Sequence, residues 1–157
     1  MLRKTTLTVV VGIVLTQGCA PRSAAVDPHD PVITATIDSL LQLAMAGAAR
    51  VDVDQVLGGA ADSLTFVTGD VILAGLGPIR EQFRQTYSHL QKQDQTLMEK
   101  RIRVLTPDVA VAIVTAEGTY TDQAGWTSPP VGLGTSIVFV RQNGQWRAQH
   151  AHQSIAP

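Results

Sequence analysis

His150, His152 and Ser154 alternate near the end of the stretch Thr135–Ser154, TSIVFVRQNGQWRAQHAHQS. Side chains two apart on a strand share a face. Trp146, Ala148, His150, His152 and Ser154 then form one face, and Arg147, Gln149, Ala151 and Gln153 the other. The second set is polar enough for water. The first set is therefore expected to face inward, with Trp146 at the packed end and Ser154 at the far end. An imidazole pair on an inner wall suits general-base or hydrogen-bonding work, because histidine titrates near neutral pH. The bland alternative is a pair of polar groups satisfied by the wall itself, and for His150 that alternative is preferred. Glu117 is a second candidate acid or base, standing in the apolar run Val109–Tyr120. Facing inward, its carboxyl pKa would rise by burial; facing outward, it is a solvated charge. Tyr120 is a candidate pocket hydroxyl. Two histidines two apart on a strand need a third group to hold a metal, and only Glu117 offers itself, so no metal and no cofactor is expected. Ser154 lacks the strand–turn–helix context of a nucleophile.

These residues need elements to carry them. Asn143-Gly144 between two strand-forming runs is a strong signal for a tight hairpin. Asp30-Pro31 opens a helix, N-cap then first-turn proline, with Ile33, Ile37, Leu40, Leu41 and Ala44 at helical spacing to about Ala49. Asp52 with Gln55 starts a short second helix that Gly58-Gly59 ends. Leu64–Thr68 and Val71–Ala74 read as strands around a Gly69-Asp70 turn, and Gly77-Pro78 opens a third helix with Ile79, Phe83, Tyr87 and Leu90 on one stripe. Gln95–Leu105 and Val109–Tyr120 read as strands, the latter apolar on both faces. A loop, Thr121–Pro130, leads to the final hairpin. Trp126 in that loop is read as either a lid or a partner contact. The order predicts an α+β fold, a curved antiparallel sheet packed against three helices, with a cone-shaped cavity at its open end.

Composition excludes several classes. The net charge of −1 and the absence of a basic patch argue against nucleic acid. A single cysteine, Cys19, excludes an internal disulfide framework. Arg3 and Lys4 precede the apolar run Leu7–Leu15, too short to span a bilayer comfortably but suited to an export signal. Leu15-Thr16-Gln17-Gly18-Cys19-Ala20 resembles a bacterial lipobox. Gly18 and Cys19 match it; Thr16 and Gln17 depart from the usual leucine and small residue. The resemblance implies a signal peptide over residues 1–18, lipidation of Cys19, a tether over 19–30 and a periplasmic domain over 31–157. Ala20 lacks the aspartate of inner-membrane retention, which implies anchoring at the outer membrane. Plain secretion is the alternative.

The ordered set Val53-Asp54, Leu64-Thr65-Phe66 with Gly69-Asp70, Gly77 before Ile79 and Phe83, Val104-Leu105 with Asp108-Val109-Ala110, and the ending from Phe139 to Ser154 resembles the nuclear transport factor 2-like superfamily, in its SnoaL-like and ketosteroid-isomerase-like branch. The resemblance covers nearly all of Val32–Ser154. It implies the cone fold and pairing through the outer sheet face, but not one chemistry. The family's isomerases place a general base near the end of the first strand, where this chain has Thr68, and a tyrosine on the first helix, which Pro31–Ala49 lacks. Steroid isomerisation is therefore not expected. Binding of a small, largely apolar molecule is the leading expectation. The rivals are a proton-transfer enzyme (isomerase, cyclase or dehydratase) using His152 or Glu117, and a non-catalytic dimerisation domain.

Overall fold

The computed structural model describes residues 26–156. The expected export signal, Cys19 and the first part of the expected tether lie outside them. The described elements are α1 (Pro31–Ala49), α2 (Val53–Val56), β1 (Ala60–Thr68), β2 (Val71–Ala74), α3 (Leu76–Tyr87), β3 (Leu90–Thr106), β4 (Val109–Asp122), β5 (Val131–Gln142) and β6 (Gln145–Ala156). Their starts and turns follow local chemistry. The Asp30 carboxylate accepts the Val32 and Ile33 amides, each at 3.0 Å, ahead of Pro31. The Asp52 carboxylate accepts the Gln55 amide at 3.0 Å. Asn143 and Gly144 take φ of 51° and 78°, the left-handed conformations that a tight hairpin between β5 and β6 requires.

The strands form one sheet in the order β2-β1-β6-β5-β4-β3. Four neighbouring pairs are antiparallel, but β1 runs parallel to β6, so the sheet is mixed rather than wholly antiparallel. The reason is the route of the chain. α1 and α2 precede β1, which begins beside Ala148 near the start of β6 and ends beside Gln153. Both strands thus leave the same closed end. Strand propensity carries no direction, so only this packing decides it.

Two apolar clusters hold the helices to the sheet. Ile37 and Leu41 of α1 meet Ala110, Ala112, Phe139 and Trp146. Val53 of α2, Leu57 at its C-cap and Ile79 of α3 meet Leu64 and Phe66 of β1. Ile37 and Ile79 are fully buried, worth about 1.5–3 kcal/mol each in transfer terms. The clusters close one end of the cone and leave the other open.

Candidate functional site

The strand registers arrange the inner wall in rows. Val104, Ala110, Phe139 and Ala148 form the innermost row, beside Leu41 and Leu64. Ile102, Ala112, Ile137, Ala151 and Phe66 form the next. A row of Lys100, Val114, Thr135, Gln153 and Thr68 follows, then Leu97, Ala116, Leu133 and Ile155. Gln95, Gly118 and Val131, and finally Gln93 with Tyr120, reach the open end. α1, α2 and α3 close the other side, and together they enclose a cavity of about 720 Å³. That size is ordinary for a small-molecule site.

The imidazole pair does not face this cavity. Ala148, Ala151, Gln153 and Ile155 line it, whereas His150, His152 and Ser154 do not. The cause is a bulge. Phe139 faces Ala148 and Val138 faces His150, leaving Gln149 as an extra residue in β6. One extra residue reverses the parity of all that follows. The bulge is matched in β1, where Ala60 faces Ala148 but Thr65 already faces His150. The Gln149 side chain fills the irregularity, donating to the Ser63 carbonyl and hydroxyl oxygens at 3.0 Å each and accepting from Gln142 at 2.9 Å.

The expectation that His150, His152 and Ser154 point into the cone is therefore corrected. They stand on the convex side, with His152 and Ser154 exposed, beside Val67, Val138 and Ser136 in register. Ser154 donates its hydroxyl to the Gly134 carbonyl at 3.3 Å. Glu117 also falls on the exposed convex parity, alternating with the cavity-lining Ala116 and Gly118. Neither His152 nor Glu117 is placed to serve the cavity as a base. Tyr120 does line it. Asp70 is exposed in its turn, while Thr68 reaches the wall. Among the described residues, no three His, Cys, Asp or Glu side chains converge as a metal site would need.

The cavity carries no charge. Its lining contains no Asp, Glu, Lys, Arg, His or Cys among the described residues. Lys100 occupies an inner row, but its ammonium turns to the Asp38 carboxylate of α1 and is neutralised there. The polar groups are threonine hydroxyls, glutamine amides and the phenols of Tyr87 and Tyr120. Burial raises the Tyr87 pKa, partly opposed by a hydrogen bond from Gln93, so the phenol is held neutral. Gln93 also accepts from the Gln95 amide at 2.9 Å, which makes a linked group at the open end. Phe66, Phe83 and Tyr87 pack edge-to-face in series along one wall, with centroids 5.4 and 5.7 Å apart.

The rim loop is folded back on β4. The Asp122 carboxylate accepts the Ala124 and Trp126 amides at 2.9 Å each, and the Ser128 amide donates to the Tyr120 carbonyl at 2.9 Å. These bonds hold the Trp126 indole edge-on to Tyr120, 5.9 Å between centroids, outside the cavity lining. Sequence reasoning had missed Thr68, Thr135, Gln153 and Gln93 as cavity groups. One signal was present: Ala151 and Ile155 are better inner residues than His152 and Ser154, if the alternation restarts after Gln149.

The sequence profile of the SnoaL-like domain family matches residues 37–157. The chain belongs to that family. No curated protein matches it. Solved structures share its fold at low identity. A nuclear transport factor 2-like superfamily protein from Salmonella enterica serovar Typhimurium superposes with a TM-score of 0.71 at 19% identity, covering 80% of this chain and 92% of that one. A ketosteroid isomerase-like protein from Erwinia carotovora gives 0.67 at 17% identity, with 78% and 95% covered. The association domain of CaMKII from C. elegans gives 0.62 at 16%, also with 78% and 95% covered. At such identities the likeness establishes the cone fold of this SnoaL-like domain and nothing of its chemistry.

Proposed function

We propose that this SnoaL-like domain binds a small, uncharged, largely apolar molecule in its cone. The observation that carries the reading is the lining itself: a cavity of about 720 Å³, walled mainly by aliphatic and aromatic side chains and, among the described residues, free of ionisable groups other than two tyrosines. Apolar burial drives entry, and a charged ligand would lose its hydration without meeting a counter-charge. The proton-transfer alternative needs a base, and His152 and Glu117 stand outside the cavity. The test is binding of N-phenyl-1-naphthylamine, a neutral apolar probe whose fluorescence rises when it leaves water. Wild type should bind it saturably, and Leu133→Trp, which fills the wall at mid-depth, should not. Equal binding by both proteins would refute the cone as the site. Native mass spectrometry of the purified protein would then identify the natural occupant.

A second reading concerns the convex face. Ile113 is 50% exposed and Ile72 70%, on the same side as Val67, Val111 and Val138. Ile113, Val111 and Val138 adjoin one another there, parted from Val67 and Ile72 by Ser136, His150 and His152. An exposed apolar patch of this kind marks a contact surface. A second copy is the occupant this proposal names, and a fold relative named as an association domain supports it. Ile113→Asp should convert a dimer to a monomer in sedimentation at micromolar concentration, whereas a wild-type monomer would refute the pairing. We also propose export, with anchoring to the outer membrane through lipidated Cys19 and plain secretion as the alternative.

A further inference from the structure

Resting on the reading of the cone as a ligand site, we infer that the ligand is an oxygenated neutral molecule, with one carbonyl or hydroxyl held part-way along an apolar skeleton. The basis is a belt of three polar side chains crossing the wall. Register places Thr68 beside Gln153 and Gln153 beside Thr135, on three adjacent strands, and all three line the cavity. The row nearer the closed end is Phe66, Ala151 and Ile137; the row nearer the mouth contains Leu133 and Ile155. Each two-residue step along a strand advances about 7 Å, so the belt is separated from both ends of the cavity by apolar wall. A ligand that is polar only at its tip would miss it.

The belt is open for use. The Gln93 and Gln95 amides bond to one another. In contrast, the Thr68, Thr135 and Gln153 side chains make no hydrogen bond with another side chain among the described residues. An amide and two hydroxyls supply both donors and acceptors, which suits a carbonyl, ester, amide or hydroxyl. They supply no charge. The one cation in the row, Lys100, is paired with Asp38 on the helix side. A carboxylate, phosphate or ammonium would therefore be buried without a partner, which the belt's dipoles do not offset.

A matched pair of probes tests this. In 2-acetylnaphthalene and 2-ethylnaphthalene a carbonyl replaces a methylene on the same skeleton, and 2-naphthoate adds an anionic member. Each would be titrated as a competitor of N-phenyl-1-naphthylamine. Gln153→Leu should weaken the acetyl compound about fivefold relative to the ethyl compound, the loss of one net hydrogen bond. Thr135→Val, which keeps the side chain's shape, should act in the same direction, so a folding defect at one site does not decide the result. An acetyl-to-ethyl ratio unchanged in both variants, with both compounds still bound, overturns the belt and leaves the cone intact as a site. Binding of 2-naphthoate as tight as that of the acetyl compound overturns the neutral-ligand assignment. Failure of wild type to bind N-phenyl-1-naphthylamine at all removes the cone reading itself.

Discussion

Ala151 and His152 are neighbours whose roles are exchanged by one bulge, and a carboxylate placed at each in turn separates the two parities. Ala151 lies in register between Phe66 and Ile137, lines the cavity and packs against the cluster of Leu64, Phe66 and Ile79. Among the described residues, the cavity lining offers no cation. An aspartate there must be desolvated or protonated, and full burial raises a carboxyl pKa by as much as about 3–5 units. Ala151 is only half-buried. A rise of about 2 units is therefore reasonable, and at 1.36 kcal/mol per unit it gives about 3 kcal/mol at pH 7. In a domain of this size that lowers Tm by about 10 °C. The pH dependence follows from the sign of the shift. The folded pKa lies above the unfolded value near 4, so the penalty is complete above the folded pKa. It shrinks as pH falls, is mostly gone at about pH 4, and vanishes only below the unfolded pKa, where both states bind the proton. His152→Asp puts the same charge on the exposed convex face and should cost no more than about 0.5 kcal/mol at either pH. Thermal and urea unfolding at pH 7 and pH 4 read both variants. A silent Ala151→Asp, or a His152→Asp penalty of equal size, would refute the assignment of faces after Gln149.

Trp146, 8% exposed in the cluster with Phe139, Ala110 and Ile37, should cost about 3–5 kcal/mol when cut to alanine, measured by urea unfolding. The half-buried Tyr87 phenol has a raised pKa, so its contribution is complete below about pH 10 and lost as pH rises through the folded value. Tyr87→Phe should flatten that alkaline decline, and an unchanged alkaline limb would count against it. Cys19→Ser should abolish labelled-palmitate incorporation and release the domain from membranes, and unchanged labelling would refute the anchor. Gly118 sits where an added Cβ would fall 2.5 Å from the Asp94 carbonyl of β3. Gly118→Ala should destabilise by about 1–3 kcal/mol through overpacking against backbone, read as a lower urea midpoint.

Local chemistry was legible in the sequence. Asp30-Pro31 and Asp52 with Gln55 announced two helix starts, and Asn143-Gly144 announced the last turn, because a cap or a tight turn is decided by atoms within three residues of one another. The order of helices and strands, and with it the α+β class, followed from periodicity together with these local start, stop and turn signals. The candidate site was not legible in the same way. Strand alternation was read correctly as far as Ala148. It then failed because Gln149 is a bulge residue, and what holds the bulge is Ser63 on another strand, 86 residues away. The parallel pairing of β1 with β6 was likewise decided by where the helices deliver the chain. The neutrality of the cavity rests on both. The bulge sends two imidazoles to the convex face, and α1 brings Asp38 to Lys100. A period-2 pattern states that two faces exist; which face is the inside is set by contacts between residues far apart in the chain.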